Sequence, residues 1–178
     1  NTVGLSYRVV GGPRFYERME IRDAIAYLRL VQQGNDDLAF ERIINTPKRG
    51  LGAKTISDLQ VAARTMRLPL LAATENLVLT DELKPSPRQT LTKFVADVSR
   101  WRAAIDTMTP QDLAAQILEE SGYIEMWRSD KSIEAAGRLD NLKELINAIA
   151  EFTSLAGFLE HASLVIENHE NSDHPRVT

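Results

Sequence analysis

The feature that most constrains the fold is a series of helical patterns that fills nearly the whole chain after its first few residues. Apolar residues recur every three or four positions, as on the buried face of a helix, and Gly, Pro or small polar residues separate the runs. The predicted helices cover about residues 17–33, 36–44, 53–67, 69–76, 86–107, 110–120, 132–152 and 155–166. The sequence therefore predicts an all-α, multi-helix domain.

Two helix starts carry recognisable capping patterns. Ser86 precedes Pro87, and Thr109 precedes Pro110. A Ser or Thr side chain can accept a hydrogen bond from the first helical turn, where Pro is also well tolerated. We therefore expect Ser86 and Thr109 to be N-caps.

The two ends of the chain differ from this helical middle. Residues Leu5–Val10 are rich in β-branched side chains and predict a short strand, which Gly11-Gly12-Pro13 ends. Residues 167–176 are polar and predict a linker, and Val177-Thr178 again favours extended structure. Because an unpaired strand is a liability in a free-standing protein, we expect a helical insertion in a longer protein, with its two ends close together.

Composition limits the classes of function. In 178 residues, 43% hydrophobic content is enough for a packed core and predicts a soluble globular protein. The chain has 21 Lys and Arg residues and 25 Asp and Glu residues, which gives a net charge of −4. Any surface that contacts nucleic acid must therefore be a local basic patch. The absence of cysteine excludes disulfides and thiolate chemistry. No apolar run is long enough for a membrane span.

Such a patch lies between the second and third predicted helices, in the segment 45–55. Pro47 ends the first of these helices, Gly50 and Gly52 allow a tight turn, and the next helix offers unpaired N–H groups at its positive end. From residue 42 to 54 there is no acidic residue, and the basic ones are Arg42, Lys48, Arg49 and Lys54. Residue types alone leave phosphate binding and an ordinary helix–helix turn equally open.

The same segment superficially resembles a nucleotide-binding P-loop, because Gly52-Ala53-Lys54-Thr55 ends in Lys-Thr. A P-loop has the pattern Gly-x-x-x-x-Gly-Lys, with one Gly directly before the Lys and another five residues before that Gly. At these two positions this chain has Ala53 and Lys48. It also follows a strand, whereas the preceding segment here predicts a helix. The sequence therefore argues against ATP binding at this turn.

Other polar clusters have simpler interpretations than catalysis. Glu17, Glu20 and Asp23 alternate with Arg14, Arg18 and Arg22, which favours surface ion pairs and helix-dipole complementarity over a metal site. His161 has apolar neighbours and predicts a packing role. A solvated linker is favoured over a metal site for His169, His174, Glu167, Glu170 and Asp173. Core and hinge packing is favoured over base stacking for Tyr7, Phe15, Tyr16 and Tyr27.

Several segments taken in order resemble a known family. They are residues 7–30, 35–42, 45–52, 138–145 and 158–159. Together they are similar to subdomain 2B of UvrD/PcrA/Rep-type superfamily 1 DNA helicases. The resemblance implies three parts: residues 1–12 as a strand and hinge from the 2A motor domain, residues 13–168 as the helical 2B subdomain, and residues 169–178 as a linker returning to 2A.

The resemblance also implies a mode of DNA binding. In the family, this subdomain is a helical insertion in the second RecA-like motor domain, swivels, and touches duplex DNA through a Gly-Ile-Gly turn. Here the turn is Gly50-Leu51-Gly52, and Leu preserves the apolar packing role. The DNA-binding residues carried over are Thr46, Lys48, Arg49, Gly50, Leu51, Gly52, Lys54 and Thr55.

The implied function is a duplex-binding, regulatory part of a bacterial, cytoplasmic 3′–5′ DNA helicase in DNA repair or replication. ATP and Mg²⁺ belong to the full-length helicase, and we expect no cofactor, metal or ATP hydrolysis in this chain alone because it has no complete catalytic motif. Expected partners are duplex DNA at a single-strand/double-strand junction, domains 1A, 1B and 2A, and repair or transcription proteins. The alternative is a helical protein-interaction module without a direct DNA role.

Overall fold

The computed structural model describes residues 12–173, which form ten helices and no strand. The helices are α1 (Pro13–Glu17), α2 (Met19–Gln32), α3 (Asp37–Ile43), α4 (Ala53–Met66), α5 (Leu70–Leu77), α6 (Pro85–Ala103), α7 (Pro110–Glu120), α8 (Tyr123–Arg128), α9 (Ala135–Ile149) and α10 (Leu155–Asp173). The prediction of an all-α, multi-helix fold is confirmed. The strand predicted at Leu5–Val10 and the extended Val177-Thr178 lie outside the described residues.

Helix α2 is the centre of the fold. It packs against α1, α3, α6, α7, α9 and α10, and buried side chains occur around its whole circumference, as expected of a core helix. These include Ile21, Ala24, Tyr27, Leu28, Leu30 and Val31. Since six helices contact α2, their relative positions are fixed, and one of the six is α3, which precedes the basic segment 45–55.

The first and last helices of the described chain contact each other. The rings of Tyr16 on α1 and Phe158 on α10 lie 6.5 Å apart, and His169 Nε2 lies 2.7 Å from a carboxylate oxygen of Glu17. Helix α10 continues past its predicted end at Ile166 to Asp173, so the linker predicted from residue 167 was wrong as far as Asp173. The helical spacing from Ile166 to His169 extends the face that packs on α1. The domain boundary at 168/169 stays a prediction.

Some helix boundaries also differ from the predictions. Helix α8 was not predicted, because six residues are too few to show a periodic pattern. Helix α6 begins at Pro85 with Lys84 as its N-cap, so the prediction for Ser86 was wrong. An earlier Pro, which fits the first helical position, starts this helix. Thr109 is an N-cap as predicted, because its hydroxyl accepts a hydrogen bond from the Asp112 N–H at 3.1 Å.

The prediction of surface ion pairs was wrong for Glu20 and Asp23, which are buried. The Glu20 carboxylate accepts hydrogen bonds from Arg138 Nη1 at 2.9 Å and Asn141 Nδ2 at 2.7 Å. The Asp23 carboxylate accepts from Arg42 Nε at 2.7 Å. Partners on other helices satisfy these charges, and such partners are invisible to a local sequence pattern.

Three further predictions concern packing, metals and membranes. Tyr16 and Tyr27 are buried in the core, and the His161 ring packs 5.2 Å from that of Phe152. Among residues 12–173, no three His, Asp or Glu side chains are close enough together to hold a metal ion. In the same range, none of the helices combines the length and apolarity that a membrane span requires.

Candidate nucleic-acid interface

The basic turn occupies residues 44–52, between the end of α3 and the start of α4. It follows a helix, in agreement with the argument against a P-loop. Its Pro47 has a cis peptide bond and packs on the joint between α7 and α8. There Gly122 has φ +86°, and a Cβ added to it would lie 3.3 Å from Pro47 Cγ. The turn therefore rests against a joint that requires glycine.

The side chain of Asn45 closes the turn. Its Nδ2 donates to the Leu51 carbonyl at 2.7 Å, and its Oδ1 accepts from the N–H groups of Arg49 and Leu51, each at 3.3 Å. Sequence reasoning did not assign a role to Asn45, although Asn is favoured in turns because its amide can imitate a backbone group. Together with the burial of Leu51, these bonds determine the path of the main chain.

The Arg49 side chain points into the protein. Its terminal nitrogens donate to four acceptors: the carbonyl oxygens of Ile43 (2.7 Å), Ile44 (2.9 Å) and Ser121 (3.4 Å), and the hydroxyl of Tyr27 (2.7 Å). The guanidinium carbon also lies 5.0 Å from the centre of the Phe94 ring. Arg49 therefore bonds to the carboxyl ends of both α3 and α7, where helices have carbonyl groups without partners.

Tyr27 of the central helix completes the inner side of the turn. Its hydroxyl donates to the Thr46 carbonyl and accepts from Arg49. Burial raises the pKa of Tyr27 above its ordinary value, so the hydroxyl keeps its proton and remains a donor at neutral pH. The Thr46 hydroxyl in turn donates to the Arg42 carbonyl at 3.2 Å. The first half of the turn is thus held from within.

The outer side of the turn presents backbone donors and lysines. Within residues 12–173, no acceptor is found for the N–H groups of Gly50, Gly52, Ala53, Lys54 and Thr55. The side chains of Lys48 and Lys54 are exposed. Lys54 forms an ion pair with Asp58 at 3.1 Å, but the interaction energy of such an exposed ion pair is small. Donors and positive charge therefore face solvent on the same segment.

The two glycines of the turn differ in whether their backbone conformation requires glycine. Gly50 has φ +75°, a conformation that only glycine adopts easily. Gly52 has φ −79° and ψ 172°, which any residue can adopt, and a Cβ added there would meet no atom of residues 12–173 within 4 Å. The fold itself therefore requires glycine at residue 50, whereas at residue 52, the N-cap of α4, glycine is favourable but not required.

The residues predicted to bind DNA thus divide into two groups. Lys48, Gly50, Gly52 and Lys54 are exposed, and Thr55 is half-buried in the first turn of α4. Their donors and charges are directed outward, as the prediction needs. The side chains of Thr46, Arg49 and Leu51 are instead engaged within the fold.

Comparison with known proteins agrees with the resemblance seen in the sequence. A model of the UvrD-like helicase C-terminal domain matches residues 1–178. The chain belongs to this family. The turn and the helices around it all lie inside the matched range.

Individual family members are similar over most of the chain. A probable DNA helicase II homolog of Rickettsia felis is 42% identical over 92% of the chain and 25% of the relative. DNA helicase II of Escherichia coli is 33% identical over 90% of the chain and 24% of the relative. The ATP-dependent DNA helicase PcrA of Bacillus subtilis is 33% identical over 92% of the chain and 23% of the relative. The chain thus spans about a quarter of the length of these relatives.

Proposed function

We propose that this chain is the duplex-DNA-binding and regulatory 2B subdomain of an ATP-dependent 3′–5′ DNA helicase that acts in DNA repair or replication. The contact is made by the outer side of the basic turn together with the first residues of α4, within residues 46–55, and it binds backbone phosphates of the duplex. Gly52 is the observation that carries the proposal. Because nothing within residues 12–173 requires glycine there, a close approach by an external group best explains it.

The chemistry of the turn suits a phosphate. The free N–H groups at the start of α4 lie at the positive end of its helix dipole, an arrangement that favours binding of anions. Lys48 and Lys54 supply countercharge from either side of the glycines. Such contacts position a protein on the duplex without reading its sequence. The proposed binding is therefore independent of DNA sequence.

The remaining parts of the proposal concern the full-length enzyme. The relatives include ATP-dependent helicases of about four times this length, so ATP and Mg²⁺ are assigned to the full-length helicase in the bacterial cytoplasm, and domains 1A, 1B and 2A are the partners of this chain. The contact between α1 and α10 supports an insertion in domain 2A, because it brings the described ends of the chain together. The orientation of the insertion relative to the motor domains would regulate unwinding at the junction. Repair or transcription proteins are further proposed partners.

The alternative is a protein-interaction module without a direct DNA role. Two exposed apolar side chains favour it: Leu38 on α3 is 80% exposed and Ile133 before α9 is 95% exposed. These residues lie outside the turn. Substitutions in the turn therefore separate the two functions, because only duplex binding depends on it.

Duplex binding by this chain is expected to be weak and to fall as salt rises. A patch of a few phosphate contacts gives a Kd on the order of 10⁻⁴ M or weaker at physiological salt. Lys48→Ala and Lys54→Ala should each reduce the slope of log K against log salt by about one unit, since each removes one phosphate contact. An NMR titration with a short duplex of mixed sequence, repeated at several salt concentrations, measures both quantities.

The matched control is Lys143→Ala, which removes an exposed lysine from α9. It should leave the salt slope unchanged. If it reduces the slope as much as the two turn variants do, binding is a general effect of charge and the turn is only a helix connector. If none of the three variants changes binding, the protein-interaction module is preferred.

Gly52→Ser tests the proposal without changing charge. Serine is a favourable N-cap and the site has room for its Cβ, so the free energy of unfolding should change by no more than about 0.5 kcal/mol. Duplex affinity should nevertheless fall roughly tenfold, because the side chain obstructs phosphate and its oxygen competes for the free N–H groups. Urea unfolding and the same titration measure the two effects.

Ala53→Ser is the control for this substitution, because it adds a hydroxyl one residue further along the exposed start of α4. It should reduce affinity less than Gly52→Ser. Unchanged affinity in Gly52→Ser would mean that phosphate does not approach the backbone at this residue.

A further inference from the structure

We infer that Arg49 is a positioning residue of the phosphate-binding turn: its guanidinium holds the turn in its binding conformation from behind and does not contact phosphate. The inference rests on the proposed function and divides the roles of the neighbouring Lys48 and Arg49. Lys48 is exposed and Arg49 is directed inward.

The hydrogen-bonding capacity of Arg49 supports this role. A guanidinium has five N–H donors, four of them on the terminal nitrogens. Here Nη1 donates to two carbonyl oxygens, and Nη2 donates to a hydroxyl and a third carbonyl. Only the Nε–H remains. The two-pronged contact by which arginine binds phosphate is therefore not available in this conformation.

The acceptors of Arg49 belong to three different helices. Ile43 and Ile44 end α3, Ser121 ends α7, and Tyr27 lies in the middle of α2. A positive charge at the carboxyl ends of two helices is stabilised by their dipoles. Phe94 of α6 covers the guanidinium at 5.0 Å. Arg49 thus joins the turn to the body of the domain.

These contacts of Arg49 fix the backbone of the turn and therefore the direction of the N–H groups on its outer side. Tyr27 connects Arg49 to the Thr46 carbonyl, and Asn45 binds the N–H groups of Arg49 and Leu51. With these groups held inward, the N–H groups of Gly50 and Gly52 are among those left without an acceptor within residues 12–173. Loss of the guanidinium contacts should therefore reduce phosphate binding even when the positive charge is kept.

Arg49→Lys is the decisive substitution, because lysine keeps the charge but has neither the planar fork nor the five donors. Duplex affinity should fall at least roughly threefold, as expected when hydrogen bonds that hold the site are lost. Arg64→Lys is the matched control, since it makes the same exchange at an exposed residue of α4 outside the turn. It should bind the duplex as the unmodified chain does. NMR titration measures affinity, and amide hydrogen exchange at Leu51 reports whether the turn has loosened.

Tyr27→Phe provides a second test if Arg49→Lys does not fold. It removes only the hydroxyl between Arg49 and the Thr46 carbonyl, in the buried core and without a change in charge. Lower affinity together with faster exchange at Leu51 would support positioning. A folded Tyr27→Phe chain with unchanged affinity would overturn it.

Two other results have different meanings. If Arg49→Lys binds normally while Arg49→Ala reduces the salt slope by about one unit, Arg49 contacts phosphate directly and the inference is overturned. The proposed function would then still stand. If the unmodified chain shows no salt-dependent duplex binding, the proposed function fails and the positioning role fails with it.

Discussion

Replacing Arg138 by alanine is expected to lower the free energy of unfolding by about 3 kcal/mol, because removing one partner leaves a buried charge without compensation. The remaining charge is that of Glu20, which is 2% exposed. Arg138 Nη1 donates to it at 2.9 Å, and the Arg138 guanidinium lies 4.9 Å from the Trp127 ring. Asn141 stays as the second donor to Glu20. Urea unfolding followed by circular dichroism measures the loss.

A double variant tests whether the uncompensated charge of Glu20 causes this loss of stability. Glu20→Gln combined with Arg138→Met removes both charges and keeps similar shapes, and replacing a whole buried pair is often close to neutral. The double variant should therefore be more stable than Arg138→Ala. Arg128→Ala is the surface control, because Arg128 and its partner Glu119 are both half-exposed. If Arg138→Ala costs no more stability than Arg128→Ala, the buried pair does not matter for folding.

Trp101→Ala is expected to lower the free energy of unfolding by about 3–5 kcal/mol, the cost of emptying a large core site. Trp101 lies on α6 and is 1% exposed. Its indole N–H donates to the Glu120 carboxylate at the end of α7 at 2.8 Å. Because α6 and α7 also provide Phe94 and Ser121 around Arg49, duplex affinity should fall in the same variant. Thermal and urea unfolding measure the first effect.

Trp101→Phe separates packing from the hydrogen bond. It retains most of the apolar volume and loses the N–H, so its cost should be about 1 kcal/mol at neutral pH. The indole hydrogen bond and Arg100 lower the pKa of Glu120 below its ordinary value. A lowered pKa stabilises the fold above the ordinary pKa of glutamate, and this contribution is lost as the pH falls. The difference between Trp101→Phe and the unmodified chain should therefore shrink in acid, and a constant difference would contradict this account.

Much of the helical architecture could be predicted from the sequence. Long amphipathic segments such as α2, α4 and α9 lie where their apolar spacing placed them, because that spacing depends only on the period of the helix. The Thr109 cap was predicted for a similar reason, since its bond spans three residues. The short α8 and the last turns of α10 were missed, because packing against other helices stabilises them rather than a local pattern.

The basic turn was found from the sequence, but its division into an inner and an outer side was not. Gly50, Gly52 and the lysines identified a turn able to bind phosphate. The sequence does not show that Arg49 reaches Ser121, which is distant in the chain. Asn45 was missed because its amide acts through bonds that exist only when the turn is folded.

What the sequence by itself determined is the all-α class, the family and the place of a basic, glycine-containing turn between two helices. These depend on periodicity, residue type and order, which are properties of short segments. Only the tertiary structure decided that Glu20 and Asp23 are buried with partners, that Arg49 faces inward, and that Gly52 is free of internal constraints. Each of these depends on which distant groups lie within hydrogen-bonding or packing distance, and the packing of the helices around α2 sets those distances.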